Sequence, residues 1–260
     1  MSKEIGTMKR KMKLLRWCAP VALVIGLGSL AARASDIVVV PATTDIWLAG
    51  QPSGVSVTGY FGSDSAPANS PALVNVTGGE ILTFTSTGST SVDDVNFGGP
   101  DGDPAHYPDQ STFSPSPADG AYNGPADALL GVFLNSSAGT LAIDSNGVPT
   151  GFVAGLDYQT NGNEGLDAYS PALNQIFFIG DGLTGTGTGT VQQFTVPAGA
   201  TGLYLAAADS VGGSTGNEGS ISVDVSGANT VTPEPGTLLL LGSGLVGLAG
   251  MVRRKIGIRG

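Results

Sequence analysis

Gly219-Ser220-Ile221-Ser222-Val223-Asp224-Val225 alternates apolar and polar side chains with a period of two. In an extended chain that pattern places Ile221, Val223 and Val225 on one face and Ser222 and Asp224 on the other, so the segment reads as a half-buried strand. Working outward, further strands are expected at 36–40, 45–49, 80–87, 129–134, 175–179, 191–196, 202–207 and 220–225, short runs rich in Val, Ile, Leu, Phe and Thr between Gly, Pro and Asn clusters. No amphipathic helix pattern stands between them. The chain contains 41 glycines, a composition that fits strands and turns. An all-β, antiparallel sandwich or jelly roll is expected over residues 35–232, a length sufficient for one sizeable core.

Two stretches, 111–128 and 135–170, are turn-rich and lack periodicity; they read as long loops or an insertion, around 111–170, between sandwich strands. Thr184-Gly185-Thr186-Gly187-Thr188-Gly189-Thr190 reads as a hairpin tip. Its glycines lack the lysine and the strand-to-helix context of a phosphate-binding loop.

Charge narrows the functional classes. All 11 Lys and Arg lie at the two ends of the chain, and no basic side chain occurs from Ser35 to Val252. Asp36 to Glu234 carries 20 of the 21 acidic residues. Without Lys or Arg to displace counterions from phosphates, this region is not a nucleic-acid-binding surface. It also has no basic partner for a buried carboxylate, which must then rely on backbone N–H groups, a proton or a bound cation. Hard cations such as calcium, with their preference for oxygen ligands, suit such a domain. A solvated acidic surface accounts for the remaining carboxylates.

The ends are targeting segments. A basic stretch, Lys9 to Arg16, precedes the apolar run Trp17 to Leu30 and the small-x-small site Ala32-Arg33-Ala34, which is the order of a secretory signal at 1–34 with its own helix. The single cysteine, Cys18, lies inside it, so the exported domain has no thiol. At the far end, 236–252 is uncharged and would span about 25 Å as a helix. Arg253, Arg254 and Lys255 follow, so basic residues stay on the cytoplasmic side and the domain is placed outside. A plain single-pass anchor has this form. Pro233-Glu234-Pro235, the glycine-rich apolar helix and the arginine-rich end together resemble the PEP-CTERM sorting signal of Gram-negative bacteria, covering 233–260. The resemblance implies an inner-membrane-anchored precursor, an exosortase-type processing protease, and a final place on the cell surface or in extracellular matrix.

A second resemblance is carried by blocks of the domain. Gly79 to Phe84, Gly99-Pro100 with Gly102-Asp103, His106 with Pro108-Asp109-Gln110, Leu129 to Leu134, Leu203 to Leu205, Asp209 and Gly219 to Val223 follow the order seen in the bacterial PA-I type galactophilic lectins. The match covers about half of the mature region. It implies a small jelly roll with a Ca2+ ion that itself coordinates two sugar hydroxyls. Asp209 occupies the place of the acidic residue that binds both metal and sugar, and Asn217 matches a metal-binding asparagine. Gly216 stands where the lectins carry a second asparagine, a place Glu218 reaches if the loop shifts by one. Two backbone carbonyl ligands fall at Val92 and Gly213. His106 and Gln110 match the residues that hydrogen-bond the sugar, although an inserted Tyr107 distinguishes this loop.

The chemistry is sound in its own right. A divalent cation gives hydroxyl pairs a stronger contact than protein hydrogen bonds exchanged against water, and His and Gln each offer donor and acceptor functions. The plainer readings are that His106, the only histidine, is a loop residue held by Asp103 or Asp109, and that Asp209 and Asn217 form an Asx turn. Enzymatic readings have less to build on: there is one histidine, no nucleophile elbow and no zinc ligand set. Acidic pairs such as Asp93 and Asp94, or Asp101 and Asp103, are unspecific in glycine-rich loops. The expectation is a non-enzymatic, calcium-dependent module for an extracellular glycan or exopolysaccharide; the alternative is a structural surface or matrix protein of the same fold without a sugar site. The signal analysis predicts a mature protein beginning at Ser35, and intact mass of the exported form checks it: retention of Met1 or Met8 at the N-terminus contradicts it.

Overall fold

The computed structural model describes residues 35–59, 61–92, 97–103, 122–135, 142–143, 149–156, 158 and 163–227. The expected signal helix and C-terminal apolar helix lie outside them. Among the described residues the regular secondary structure is β, apart from short 3-10 turns, and no helix there is long and apolar enough to cross a membrane.

The strands are β1 (Asp36–Pro41), β2 (Ser56–Thr58), β3 (Ser63–Ser65), β4 (Ala72–Asn75), β5 (Ile81–Ser91), β6 (Phe97–Gly98), β7 (Leu129–Leu134) and β8 (Ala142–Ile143). They continue with β9 (Pro149–Thr150), β10 (Ala168–Tyr169), β11 (Ile176–Phe178), β12 (Leu183–Gly185), β13 (Thr188–Val191), β14 (Gln193–Thr195), β15 (Gly202–Ala207) and β16 (Glu218–Ser226). One sheet runs β1-β16-β5-β14-β10, with β6 added on β5; the other runs β11-β7-β15-β4.

The alternation at 221–225 is realised in β16. Ile221, Val223 and Val225 are buried, while Ser222 and Asp224 are only half-covered. β16 pairs antiparallel with β5 in unbroken register from Glu218↔Ser91 to Ser226↔Thr83, and on its other side with β1. Gly88 lets the long pairing pass its midpoint. Its φ is +119°, and a Cβ there would lie 2.3 Å from the Ser220 carbonyl oxygen, so only glycine fits.

The sheets meet through aromatic rings. Phe194 of β14 lies 5.0 Å from Phe84, 4.8 Å from Tyr169 and 5.7 Å from Phe177 of the opposite sheet, centroid to centroid. β7 is buried at every residue, so the four-stranded sheet is covered on both faces at that strand, while its edge strand β4 exposes Leu73.

Three expectations are corrected. Residues 45–49 form a 3-10 turn, Ile46–Leu48, rather than a strand. The Asp45 carboxyl takes the Trp47 N–H at 2.8 Å, and the Leu48 and Ala49 N–H groups go to the Asp45 and Ile46 carbonyls, so local bonds close a turn whose Ile46, Trp47 and Leu48 are all buried. The run 191–196 is broken at Gln192, whose backbone N–H goes to Gly182 and whose side-chain amide donates to the carbonyls of Glu164 and Leu166. Pairing is not wholly antiparallel either, because β10 joins β14 in parallel. Within 111–170 the described residues include β7, an inner strand of the four-stranded sheet, and the short β8, β9 and β10, and Tyr122, Phe152, Tyr158 and Tyr169 all enter the core. The Thr-Gly repeat is the β12–β13 hairpin, as read from sequence.

Phe194 joins both sheets, so Phe194→Ala is expected to cost about 3–5 kcal/mol of unfolding free energy. Urea denaturation measures it, and a loss below about 1 kcal/mol contradicts this account of the core.

Candidate functional site

The segment between β15 and β16 is a compact turn closed by a 3-10 turn, Ser214–Gly216. Asp209 is half-buried at its start and Asn217 is buried at its end. The Asn217 amide nitrogen donates to Asp209 Oδ2 at 2.8 Å, and the Ser210 N–H reaches Asp209 Oδ1 at 2.6 Å. Gly213 sits against the same carboxylate: a Cβ there would lie 3.2 and 3.3 Å from its two oxygens. Val92 follows the Ser91↔Glu218 pair, which puts it alongside Asn217 in the sheet register. The structure therefore brings together Asp209, Gly213 and Asn217, with Val92 on the neighbouring strand. His106 and Gln110 lie outside the described residues, as do Asp93, Asp94, Pro233, Glu234, Pro235, Arg253 and Arg254.

Beneath the turn lies a pair of buried carboxyls that sequence reasoning missed. Asp45 and Asp64 are 2 % and 0 % exposed. Asp45 accepts the Trp47 N–H through one oxygen and the Gly212 N–H, at 2.9 Å, through the other. Asp64 accepts the Ser214 N–H at 2.8 Å and the Thr215 hydroxyl at 2.5 Å. Asn69 extends the scaffold: its side-chain oxygen takes the Ser65 N–H and its nitrogen donates to the Thr43 carbonyl. Three chain segments, 43–47, 64–69 and 212–215, are thus tied by carboxylate and amide side chains. Asp45 before a bulky apolar triplet had a legible capping signal. Asp64, in a short polar strand, had none.

Burial first, and then the Asp64 carboxyl beside it, hold the Asp45 carboxyl well above the ordinary carboxylate range, against the two backbone donors that favour its ionised form. Two further acids share this direction. Asp101 and Glu164 line a cleft of about 140 Å³ with Phe178, Leu183, Thr184 and Thr186. Burial raises both; Asp181 adds to it at Asp101, and Asp101 adds to it at Glu164. Asp101 also accepts the Asp181 N–H at 2.8 Å, so it is engaged with Asp181 and Glu164, whereas the Asp103 N–H goes to the Ala126 carbonyl.

Among the described residues no three His, Cys, Asp or Glu side chains converge on one point. A cation at the 209–217 turn would therefore draw on one carboxylate, one amide and backbone carbonyls. That all-oxygen set is of the kind calcium uses. The Asn217 amide is presented to Asp209 through nitrogen, and a half-rotation of the group presents its oxygen at the same place, an orientation set by the surrounding hydrogen bonds.

Comparison with known proteins places the other end of the chain. A family model described as the PEP-CTERM protein-sorting motif matches residues 231–255. That motif marks an exported protein whose precursor is anchored in the membrane and processed by exosortase. No curated protein matches the chain.

The buried acids give a sign for the pH dependence. A carboxyl whose folded pKa is raised keeps a proton that the unfolded chain releases, so its contribution is complete below the unfolded value, near 3.8 for Asp45, and is lost as pH rises through the folded value. Melting temperature is expected to fall by about 3 °C or more between pH 4 and pH 8. Asp45→Asn loses one backbone hydrogen bond, so it should melt lower than the parent at pH 4, with a flatter slope above it. Calorimetry across that range checks both, and a rise in melting temperature with pH contradicts the assignment.

Proposed function

We propose that the exported domain is a calcium-dependent, non-enzymatic glycan-binding module of jelly-roll type, delivered to the cell surface or extracellular matrix by its sorting segment. The observation that carries the reading is the turn at 209–217, where the Asp209 carboxylate, the Asn217 amide and Gly213 meet in a domain without a single Lys or Arg. The blocks resembling PA-I type lectins support it. Asp209 and Asn217 would hold the ion by their side chains, and Val92 and Gly213 by their carbonyls. Bound there, calcium would supply a direct, directional contact to a pair of sugar hydroxyls. His106 and Gln110 would orient the same sugar by hydrogen bonds, and Asp209 would accept from one of its hydroxyls.

A specific observation favours the alternative, a structural surface or matrix protein of this fold. Asn217 donates both to Asp209 and, at 3.4 Å, to the Ala42 carbonyl, so the turn is held together by its own side chains.

The two readings separate by experiment. With the exported protein, calcium is expected to raise the melting temperature, and a glycan array is expected to give binding that chelator removes. Asp209→Ala should abolish both effects. His106→Ala should keep the calcium stabilisation while sugar affinity falls by about 1–3 kcal/mol, the cost of a lost hydrogen bond and an unpaired partner. Calcium binding without any glycan establishes the structural reading; binding of neither ion nor glycan leaves only the fold in common with the lectins.

A further inference from the structure

The six-stranded sheet ends at β1, and among the described residues no strand pairs with its outer side. β1 runs in unbroken antiparallel register along β16, from Asp36↔Val225 to Pro41↔Ser220. The next residue fixes its parity, because the Ala42 N–H donates to the Gly219 carbonyl at 3.1 Å. Residues in step with Ala42, namely Val40, Val38 and Asp36, turn their backbone groups toward β16. Ile37 and Val39 turn theirs outward. These same two residues carry large apolar side chains that are 72 % and 58 % exposed, opposite the polar Asp224 and Ser222 of β16.

Natural sheets guard such an edge with lysine, a bulge or an internal proline. β1 has no bulge or lysine, and its proline, Pro41, comes only at the end. Expected cleavage after Ala34 also leaves one residue, Ser35, ahead of it.

We propose that β1 pairs with β1 of a second copy, antiparallel about a two-fold axis through Val38, to form a continuous sheet across a homodimer. Self-complementarity selects the register. Opposed residues must lie on the same face, and with Val38 opposite Val38 the outward-turned Ile37 of each copy faces the outward-turned Val39 of the other. Each of those two pairs exchanges both backbone hydrogen bonds, four in all. The exposed Ile37 and Val39 side chains then cover one another on a single face. Charge permits this register, which matters for a domain that is acidic throughout. Asp36 lies opposite Val40, and the two Asp36 residues stand about 13 Å apart along the strands at about 3.3 Å per residue, outside the Debye length of about 8 Å at physiological salt. The inference is independent of the calcium and glycan reading.

The test uses the exported chain. Sedimentation equilibrium is expected to show a reversible dimer at about 10–100 µM, the strength of a small interface. Val39→Pro removes an outward N–H that no strand pairing among the described residues uses, so it should leave the melting curve close to the parent's while weakening dimerisation at least about tenfold. Should that variant fail to fold, Ile37→Lys is expected to give the same loss by placing a charge on the edge. Because the exported domain has no thiol of its own, Val38→Cys should form a disulfide-linked dimer through the introduced cysteine alone, since a non-hydrogen-bonded pair brings Cα atoms to about 4.5 Å. Ile37→Cys, which faces Val39 and not itself, should not. A chain that is monomeric at about 1 mM, or a dimer that survives both edge substitutions in a folded protein, overturns the proposal. So does hydrogen-exchange protection of the Ile37 and Val39 amides in the monomer, which would mean that the chain's own residues cover the edge.

Discussion

Everything buried and acidic in this domain is governed by one deficit: between Ser35 and Val252 there is no Lys or Arg. A carboxylate taken out of water has no ion-pair partner here, so it is held by backbone N–H groups, and each such bond ties distant chain segments together. Asp45 joins the Ile46–Leu48 turn to Gly212, and Asp64 joins β3 to the Ser214–Gly216 turn. Asp101 reaches the Asp181 N–H eighty positions away in the chain, and Asp181 in turn accepts from Leu183 and Gly187 at the β12–β13 hairpin. In most proteins arginine would fill these places. Here carboxyl groups hold backbone N–H groups in place of ion pairs, and burial raises the Asp45 and Asp101 carboxyls in spite of those bonds.

The same staples support the turn that bears Asp209 and Asn217. β15 and β16 are long, paired on both sides and rich in buried apolar residues, so the ends of the turn are fixed by the core. Its middle has few apolar contacts of its own. Gly212 and Ser214 are pinned from below by Asp45 and Asp64, which leaves Gly213 between them against the Asp209 carboxylate. A site made of one carboxylate, one amide and carbonyls depends on that kind of support, since weak individual donors bind a cation only when they are already in place. The outer strand β1 shows the reverse of the same composition. A domain without lysine cannot use lysine to protect a sheet edge, and its apolar edge residues stay open to pairing.

Part of this was legible in advance. Period-two alternation located β16 and β5, because strand faces exposed to different environments impose their pattern on the sequence, while β7 and β15 were located by short apolar runs bounded by turn residues. Asp209, Gly213 and Asn217 were singled out through the lectin resemblance, and they are close enough in the chain for one local turn to join them. Residues 45–49 misled for a physical reason: Ile-Trp-Leu has strand-forming side chains, but a neighbouring carboxylate and burial on all sides favour a tight turn, and propensity is the weaker influence. Tyr122, Phe152 and Tyr158 sit in segments with no period at all, so nothing local announced that they fill the core.

What the sequence by itself determined is therefore the chemistry: an exported chain whose all-β, acidic domain lacks Lys and Arg, with a sorting segment at its end and oxygen donors gathered in one short turn. Tertiary structure alone decided which acids are buried, that Asp45 and Asp64 meet beneath the turn at 209–217, and that β1 stands at the rim with Ile37 and Val39 turned outward. The reason is range. Alternation and turn residues act between neighbours in the chain, whereas desolvation, strand order and the partner of a buried carboxylate depend on segments that only folding brings together.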